Sequence, residues 1–145
     1  MKCINRDDYL EKMYQIIGAA MDVYNELGFG LSEPIYQECL SIVCSEQSIP
    51  WEREKPLKMS FHGQELKKAY VADFVCFGDI IVELKAVSEL NNDHRGQLFN
   101  YLRITDSNAG VLINFGNPNR LISERYLYDV ETDKYEYVRS QRAFM

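Results

Sequence analysis

The apolar positions of this chain change period twice, and each change marks a new kind of element. Between about residues 7 and 27, Ile16, Ala20, Val23 and Leu27 recur at helical spacing, which predicts a first helix closed by Gly28. Gly28-Phe29-Gly30-Leu31 breaks that pattern. Ser32, or Glu33 itself, can cap a second helix, with Pro34 in the first turn where a missing N–H costs nothing. This helix carries Ile35, Tyr36, Cys39, Leu40 and Val43 and ends before Ser48-Ile49-Pro50. Beyond Pro50 the period falls to two. Residues 56–61 alternate polar and apolar and close on a His62-Gly63 turn. Strands over 69–77 and 80–87 follow, so three antiparallel strands are expected as a meander. A helix then runs from Asn91 or Asn92 to about Arg103. Residues 109–115 are apolar apart from Asn114, which suits a buried strand reached through a crossover helix. Residues 124–139 read as a hairpin turning near Thr132-Asp133.

At 145 residues and 46% hydrophobic content the chain is expected as one globular domain over 1–145, with a core at about 7–122 and a hairpin at about 123–140. No apolar run approaches the roughly 18 residues of a membrane span. Met1-Lys2-Cys3-Ile4-Asn5-Arg6 meets charge at once, unlike a signal peptide. A cytoplasmic protein without a membrane role is the expectation. Cys3, Cys39, Cys44 and Cys76 form no C-x-x-C pair and lack zinc or iron–sulfur spacing, so they read as reduced thiols, three of them in apolar segments.

The net charge of −6 does not advertise a nucleic-acid partner, but it is uneven. Residues 1–50 hold three basic and eight acidic side chains, whereas residues 51–100 hold seven and eight. A locally positive face is expected from Arg53, Lys55, Lys58, Lys67, Lys68, Lys85 and Arg95.

The two central strands carry acids where strands disfavour them: Asp73 in the first, Glu83 with Lys85 in the second. Turn length decides whether they meet. A two-residue Gly78-Asp79 turn pairs Phe77 with Ile80 and turns Glu83 and Lys85 away from Asp73. A three-residue connection, or a bulge, puts all three on one face. In that case Asp73 and Glu83 offer hard oxygen ligands suited to Mg²⁺ or Mn²⁺, and Lys85 emerges beside them to orient a water or neutralise charge. The plain alternative is a strand-edge ion pair facing solvent. On the following helix His94, Gln97 and Tyr101 share one face, as if lining a cleft. For His94 a hydrogen bond at the helix start is favoured over a phosphate contact.

Asp, a spacer and Glu-x-Lys resemble the signature of the PD-(D/E)XK nuclease superfamily, and Gln97-x-x-x-Tyr101 resembles the Q-x-x-x-Y motif of one of its branches. Gly30-Leu31-Ser32-Glu33-Pro34-Ile35-Tyr36 is similar to the naming motif of the GxxExxY family within it. The likeness continues through Val71–Phe74, Val82–Val87, Gln97–Leu102 and Leu112–Gly116, about residues 10–125 in all. The resemblance implies an α/β fold with a PD-(D/E)XK core: a mixed four-stranded central sheet flanked by helices, here with an extra C-terminal β-hairpin. It implies Mg²⁺- or Mn²⁺-dependent hydrolysis of nucleic acid, DNA ahead of RNA. Asp73, Glu83 and Glu33 are the expected metal residues, Lys85 the helper of the nucleophile, and Gln97 and Tyr101 complete the site. Tyr36 is expected to pack rather than react, and Gly30 to serve the turn. The rival is a silent nucleic-acid- or protein-binding module on the same fold. A homodimer through the hairpin edge, or a protein partner over the acidic first fifty residues, is compatible with either.

Overall fold

Asn5 starts the first helix by accepting the Asp8 backbone N–H at 3.2 Å, and Asp7 and Asp8 place negative charge in the first turn, where the helix dipole favours it. The computed structural model describes residues 5–139. Helix α1 runs over Arg6–Leu27 and buries Met13, Ile16, Ile17, Ala20 and Val23 along one stripe. Gly28 stops it at a φ of 69°, its N–H bonded to the Tyr24 carbonyl at 2.8 Å. Helix α2, Glu33–Glu46, begins after an extended Ser32 whose side chain makes no capping bond, and it buries Tyr36, Leu40 and Cys44.

The strands are β1 Trp51–Leu57, β2 Ser60–Phe61, β3 Gln64–Glu65, β4 Tyr70–Cys76, β5 Ile80–Lys85, β6 Ala109–Asn114, β7 Ile122–Asp129 and β8 Lys134–Tyr137, with helix α3, Asn92–Ile104, between β5 and β6. One sheet has the order β1-β4-β5-β6-β7-β8. Only β5 and β6 are parallel, joined through α3; their neighbours run antiparallel.

Two expectations need correcting. The central sheet is mixed but has six strands, not four beside a separate hairpin, because β7 pairs along the whole of β6, from Ala109↔Leu127 to Asn114↔Ile122. The alternating run after Pro50 is also divided differently. Its sheet strand is Trp51–Leu57, and Pro56 is tolerated because β1 is an edge strand. Ser60–Phe61 instead pairs with Gln64–Glu65 in a small hairpin that interrupts the meander between β1 and β4.

The sheet is covered on both faces, which is why β6 is buried at every position. On one face α1 and α2 pack over Phe74, Val82, Leu84, Val111 and Ile113. On the other, Leu98 and Leu102 of α3 pack over Ala72, Val75, Ile81 and Leu112. Tyr36 is fully buried, stacked on Phe115 at 4.5 Å, and its hydroxyl donates to the Gly28 carbonyl at 2.5 Å and accepts the Leu31 N–H at 3.2 Å. It therefore holds the loop in which Gly30 turns at a φ of 107°. Cys44 and Cys76 are buried free thiols and Cys39 is a half-buried one; Cys3 and the end of the expected domain, 140–145, lie outside the described residues. Among the described residues no helix is long and apolar enough to cross a membrane.

Candidate active site

The β4–β5 connection has three residues, Phe77-Gly78-Asp79, with Cys76 paired to Ile80 and left-handed φ values of 54° at Phe77 and 84° at Gly78. Asp73 therefore stands across from Glu83, the register in which these acids can meet. The regular ladder stops one residue short, at Phe74↔Val82. Beyond it the Asp73 carboxylate fills the gap between the strands, and its Oδ2 accepts the Leu84 N–H at 2.8 Å.

This substitution of side chain for backbone has a visible consequence. Tyr70 and Ala72 pack toward α3, whereas Phe74 and Cys76 pack toward α1 and α2, so the alternation of β4 slips at Asp73. Across from Asp73 on β1, Glu54 adopts a φ of 47°, uncommon for a non-glycine residue within a strand. The distortion places the expected site residues in two separate cavities. Glu33 and Asp73 line one of about 530 Å³ together with Gln37 and Glu54. Glu83, Lys85, Gln97 and Tyr101 line another of about 270 Å³, with His94 and Tyr70. Four of the six expected residues thus converge, and the remaining two reach the same stretch of β5 from the other side. A single common face is not formed, because Asp73 is turned edgewise toward Leu84.

The electrostatics join the two halves. Burial pushes the Glu83 carboxyl up to about 7, and the charge of Glu33 adds to this; the Asp73 backbone N–H and Lys85 pull the other way. Burial also raises Asp73, with Glu54 adding, against the Leu84 N–H and Lys85. Lys85 is the cation felt by both acids. Glu83 Oε1 is buried and has no hydrogen-bond partner. Once ionised, Glu83 has only the Asp73 N–H and the Lys85 charge to set against its burial, and a cation at Oε1 would add the compensation that this oxygen lacks. Among the described residues no group of three His, Cys, Asp or Glu side chains is arranged to hold a metal by itself. The expected trio of Glu33, Asp73 and Glu83 is therefore not a closed ligand set, since Glu33 sits exposed at the start of α2 and Asp73 is engaged with Leu84. The donors nevertheless suit Mg²⁺, which keeps several waters and takes one or two carboxylates.

Residues 10–125 match the family model of the PD-(D/E)XK nuclease superfamily. The chain belongs to the PD-(D/E)XK nuclease superfamily. Members of this superfamily generally use divalent metal ions, and its nucleases act on nucleic-acid phosphodiesters. The crystal structure of SSO0001 is similar at 21% identity and a TM-score of 0.49, over 63% of this chain and 48% of that one. The chain thus spans about half the length of SSO0001. No curated protein matches it significantly.

Several residues that hold this candidate site in place have weak signals or none in the sequence. Gln37 is buried, donates from Nε2 to the Asp73 carbonyl at 3.2 Å and accepts from Arg53 at 3.3 Å. Its signal was spacing, four residues after Glu33 and so on the same helix face. Glu54 had none, since alternation alone sends it to solvent. Asn114, fully buried at the end of β6, accepts the Val87 and Gly116 N–H groups at 3.0 Å each and donates to the Val87 carbonyl at 2.8 Å. It clamps the chain two residues beyond Lys85. Gly116 lies so close to the Val87 backbone that a β-carbon there would clash.

On α3, His94 has the helix-start role: Asn91 Oδ1 accepts the His94 N–H at 3.1 Å, and His94 Nδ1 accepts the Asn91 N–H at 3.2 Å. Tyr101 stacks on Tyr70 with ring centroids 3.6 Å apart. Arg95 forks onto Glu124 of β7 at 2.8 Å through both Nε and Nη2, and Tyr126 adds a 2.6 Å bond to the same carboxylate. These contacts fix the pitch of the helix that presents Gln97.

Proposed function

We propose that this chain is a metal-dependent nuclease of the GxxExxY type that hydrolyses nucleic-acid phosphodiesters, DNA ahead of RNA. The observation that carries the reading is the buried, unpartnered Oε1 of Glu83 beside Lys85 and across from Asp73. A buried carboxylate with one oxygen left unpartnered costs stability and is retained most readily for a site that needs it.

Asp73 and Glu83 would hold Mg²⁺ or Mn²⁺, with Glu33 facing its water shell from the start of α2. When bound, the ion supplies Lewis-acid polarisation and a more acidic water. Lys85 donates to the attacking water or to the phosphate oxygens as negative charge builds on them. Gln97 orients the phosphate at the mouth of the smaller cavity, while Tyr101, braced by Tyr70, forms its wall. The free thiols of Cys39, Cys44 and Cys76 accord with a cytoplasmic setting.

One observation favours a silent binding module instead: Asp73 is already satisfied by Leu84. Cleavage separates the two readings. End-labelled single- and double-stranded DNA and RNA are incubated with the purified chain in Mg²⁺, Mn²⁺ or EDTA. Cutting in either metal and none in EDTA is expected. Intact substrates throughout, or cutting that persists in EDTA, would remove the metal-dependent reading.

A further inference from the structure

Between Leu57 and Tyr70 the chain leaves the central sheet and builds the small β2–β3 hairpin, with Ser60 paired to Glu65 and Phe61 to Gln64. Its turn residues His62 and Gly63 are both left-handed, at φ values of 51° and 73°, the conformation that matches a two-residue hairpin to strand twist. Leu66 N–H closes the base on the Met59 carbonyl at 2.8 Å, and Met59 packs on the α3-side core. The projection is therefore anchored where the smaller cavity is walled.

What it projects is unusual for a hairpin tip. Phe61 is 62% exposed, more than any other large hydrophobic side chain among the described residues. Its ring stacks on His62 at 4.1 Å and 15°, giving a flat aromatic pair in solvent. The hairpin and its flanks also carry Lys58, Lys67 and Lys68 against a single acid, Glu65, in a chain of net charge −6. Lys58 pairs with Glu65 at 3.6 Å. Lys55 and Arg95 are matched by Glu52 and Glu124. Lys67 and Lys68 enter no ion pair among the described residues. The next residues, Ala69 to Val71, line the cavity that holds Glu83 and Lys85. Cavity, paired lysines and aromatic tip thus follow one another along the chain.

We propose that the β2–β3 hairpin is a single-strand binding arm, in which an unpaired base stacks on the Phe61–His62 pair while Lys67 and Lys68 contact the phosphates leading to the cavity. The nature of the ligand rests on the nuclease reading above. A flat π-face meets any base but only where that base is unpaired, so the arm selects strand state and not sequence. Two lysines on phosphates add a salt-dependent term.

The test uses the full chain in EDTA and a short single-stranded DNA carrying one 2-aminopurine, with its duplex as comparison. Wild type is expected to bind the single strand more tightly than the duplex and to quench the 2-aminopurine. Phe61→Ala should weaken binding about tenfold and lose the quenching, and Phe61→Trp should restore both. Lys67→Glu with Lys68→Glu should reduce the slope of log affinity against log salt by roughly 1.4. Mn²⁺ affinity should be unchanged in Phe61→Ala, which shows that the fold and the acid site are intact. Wild-type binding and quenching in Phe61→Ala, or no binding of the single strand by wild type, would overturn the arm. If wild type cuts and Phe61→Ala is indistinguishable from it, the arm fails while the nuclease reading stands. If Phe61 governs binding but nothing is cut, the arm stands and the nuclease reading fails.

Discussion

Lys85→Met is expected to reduce metal-dependent cleavage at saturating substrate by roughly 10²–10³-fold, the scale for removing one donor aimed at developing charge. Lys85 ends β5, lines the cavity with Glu83, and its charge acts on both Asp73 and Glu83. The loss should fall on kcat more than KM, because the interaction strengthens as negative charge develops on the phosphate. Lys85→Arg should not rescue it, since a planar fork cannot stand in for a compact ammonium in a cavity of about 270 Å³. Asp73→Ala should cost at least as much, because it removes a carboxylate and releases the Leu84 N–H together. Initial rates over a substrate series measure both. A Lys85→Met enzyme within a few-fold of wild type would place the chemistry elsewhere.

Glu83→Gln is expected to have an effect of opposite sign on stability. The Glu83 carboxyl is held at about 7 in the folded chain, against an ordinary value of 4.5. Below pH 4.5 both folded and unfolded chains are protonated there, and the residue exacts no penalty. As pH rises toward 7 the unfolded chain releases its proton while the folded chain keeps it, so stability falls. Above 7 the loss levels off, on the order of 3 kcal/mol. A neutral glutamine escapes it, although its amide faces the same shortage of partners at about 1 kcal/mol. The metal-free variant should therefore melt roughly 4–8 °C higher than wild type at pH 8 and no higher at pH 4. Thermal unfolding in EDTA at the two pH values checks this. A variant less stable at pH 8 would mean that Glu83 is a structural partner and not a strained site residue.

Much of this architecture was legible because local signals agreed with the global fold. The α1 stripe, the Gly28 stop, the Asn91 start of α3 and the β6 run, apolar up to Asn114, each carried period and punctuation together. The three-residue turn was legible as a condition: if Asp73 and Glu83 were to meet, Gly78 had to sit in an odd connection, and it does. What escaped was decided by long-range pairing. The terminal hairpin joins the sheet because β6 offers an open edge, which no local pattern of residues 122–137 reports. The edgewise turn of Asp73 depends on where the β4–β5 ladder ends. The expected positive face shrank for a similar reason: Arg95 is neutralised by Glu124, distant in sequence, and Lys55 and Lys58 by nearer acids. Apart from Lys85 in the candidate site, the lysines of that face without an ion pair among the described residues, Lys67 and Lys68, flank the small hairpin, where the alternation over 56–61 reads as one strand closing on the His62-Gly63 turn.

The central claim is that Asp73 and Glu83 hold a divalent metal together. Calorimetric titration of Mn²⁺ into wild type, Asp73→Ala and Glu83→Gln, above pH 7 so that Glu83 is largely ionised, tests it without reference to any substrate. The account predicts saturable binding in wild type and affinity at least about 100-fold weaker in each variant, beyond what losing an outer-shell partner costs. Equal Mn²⁺ affinity in all three proteins would contradict it.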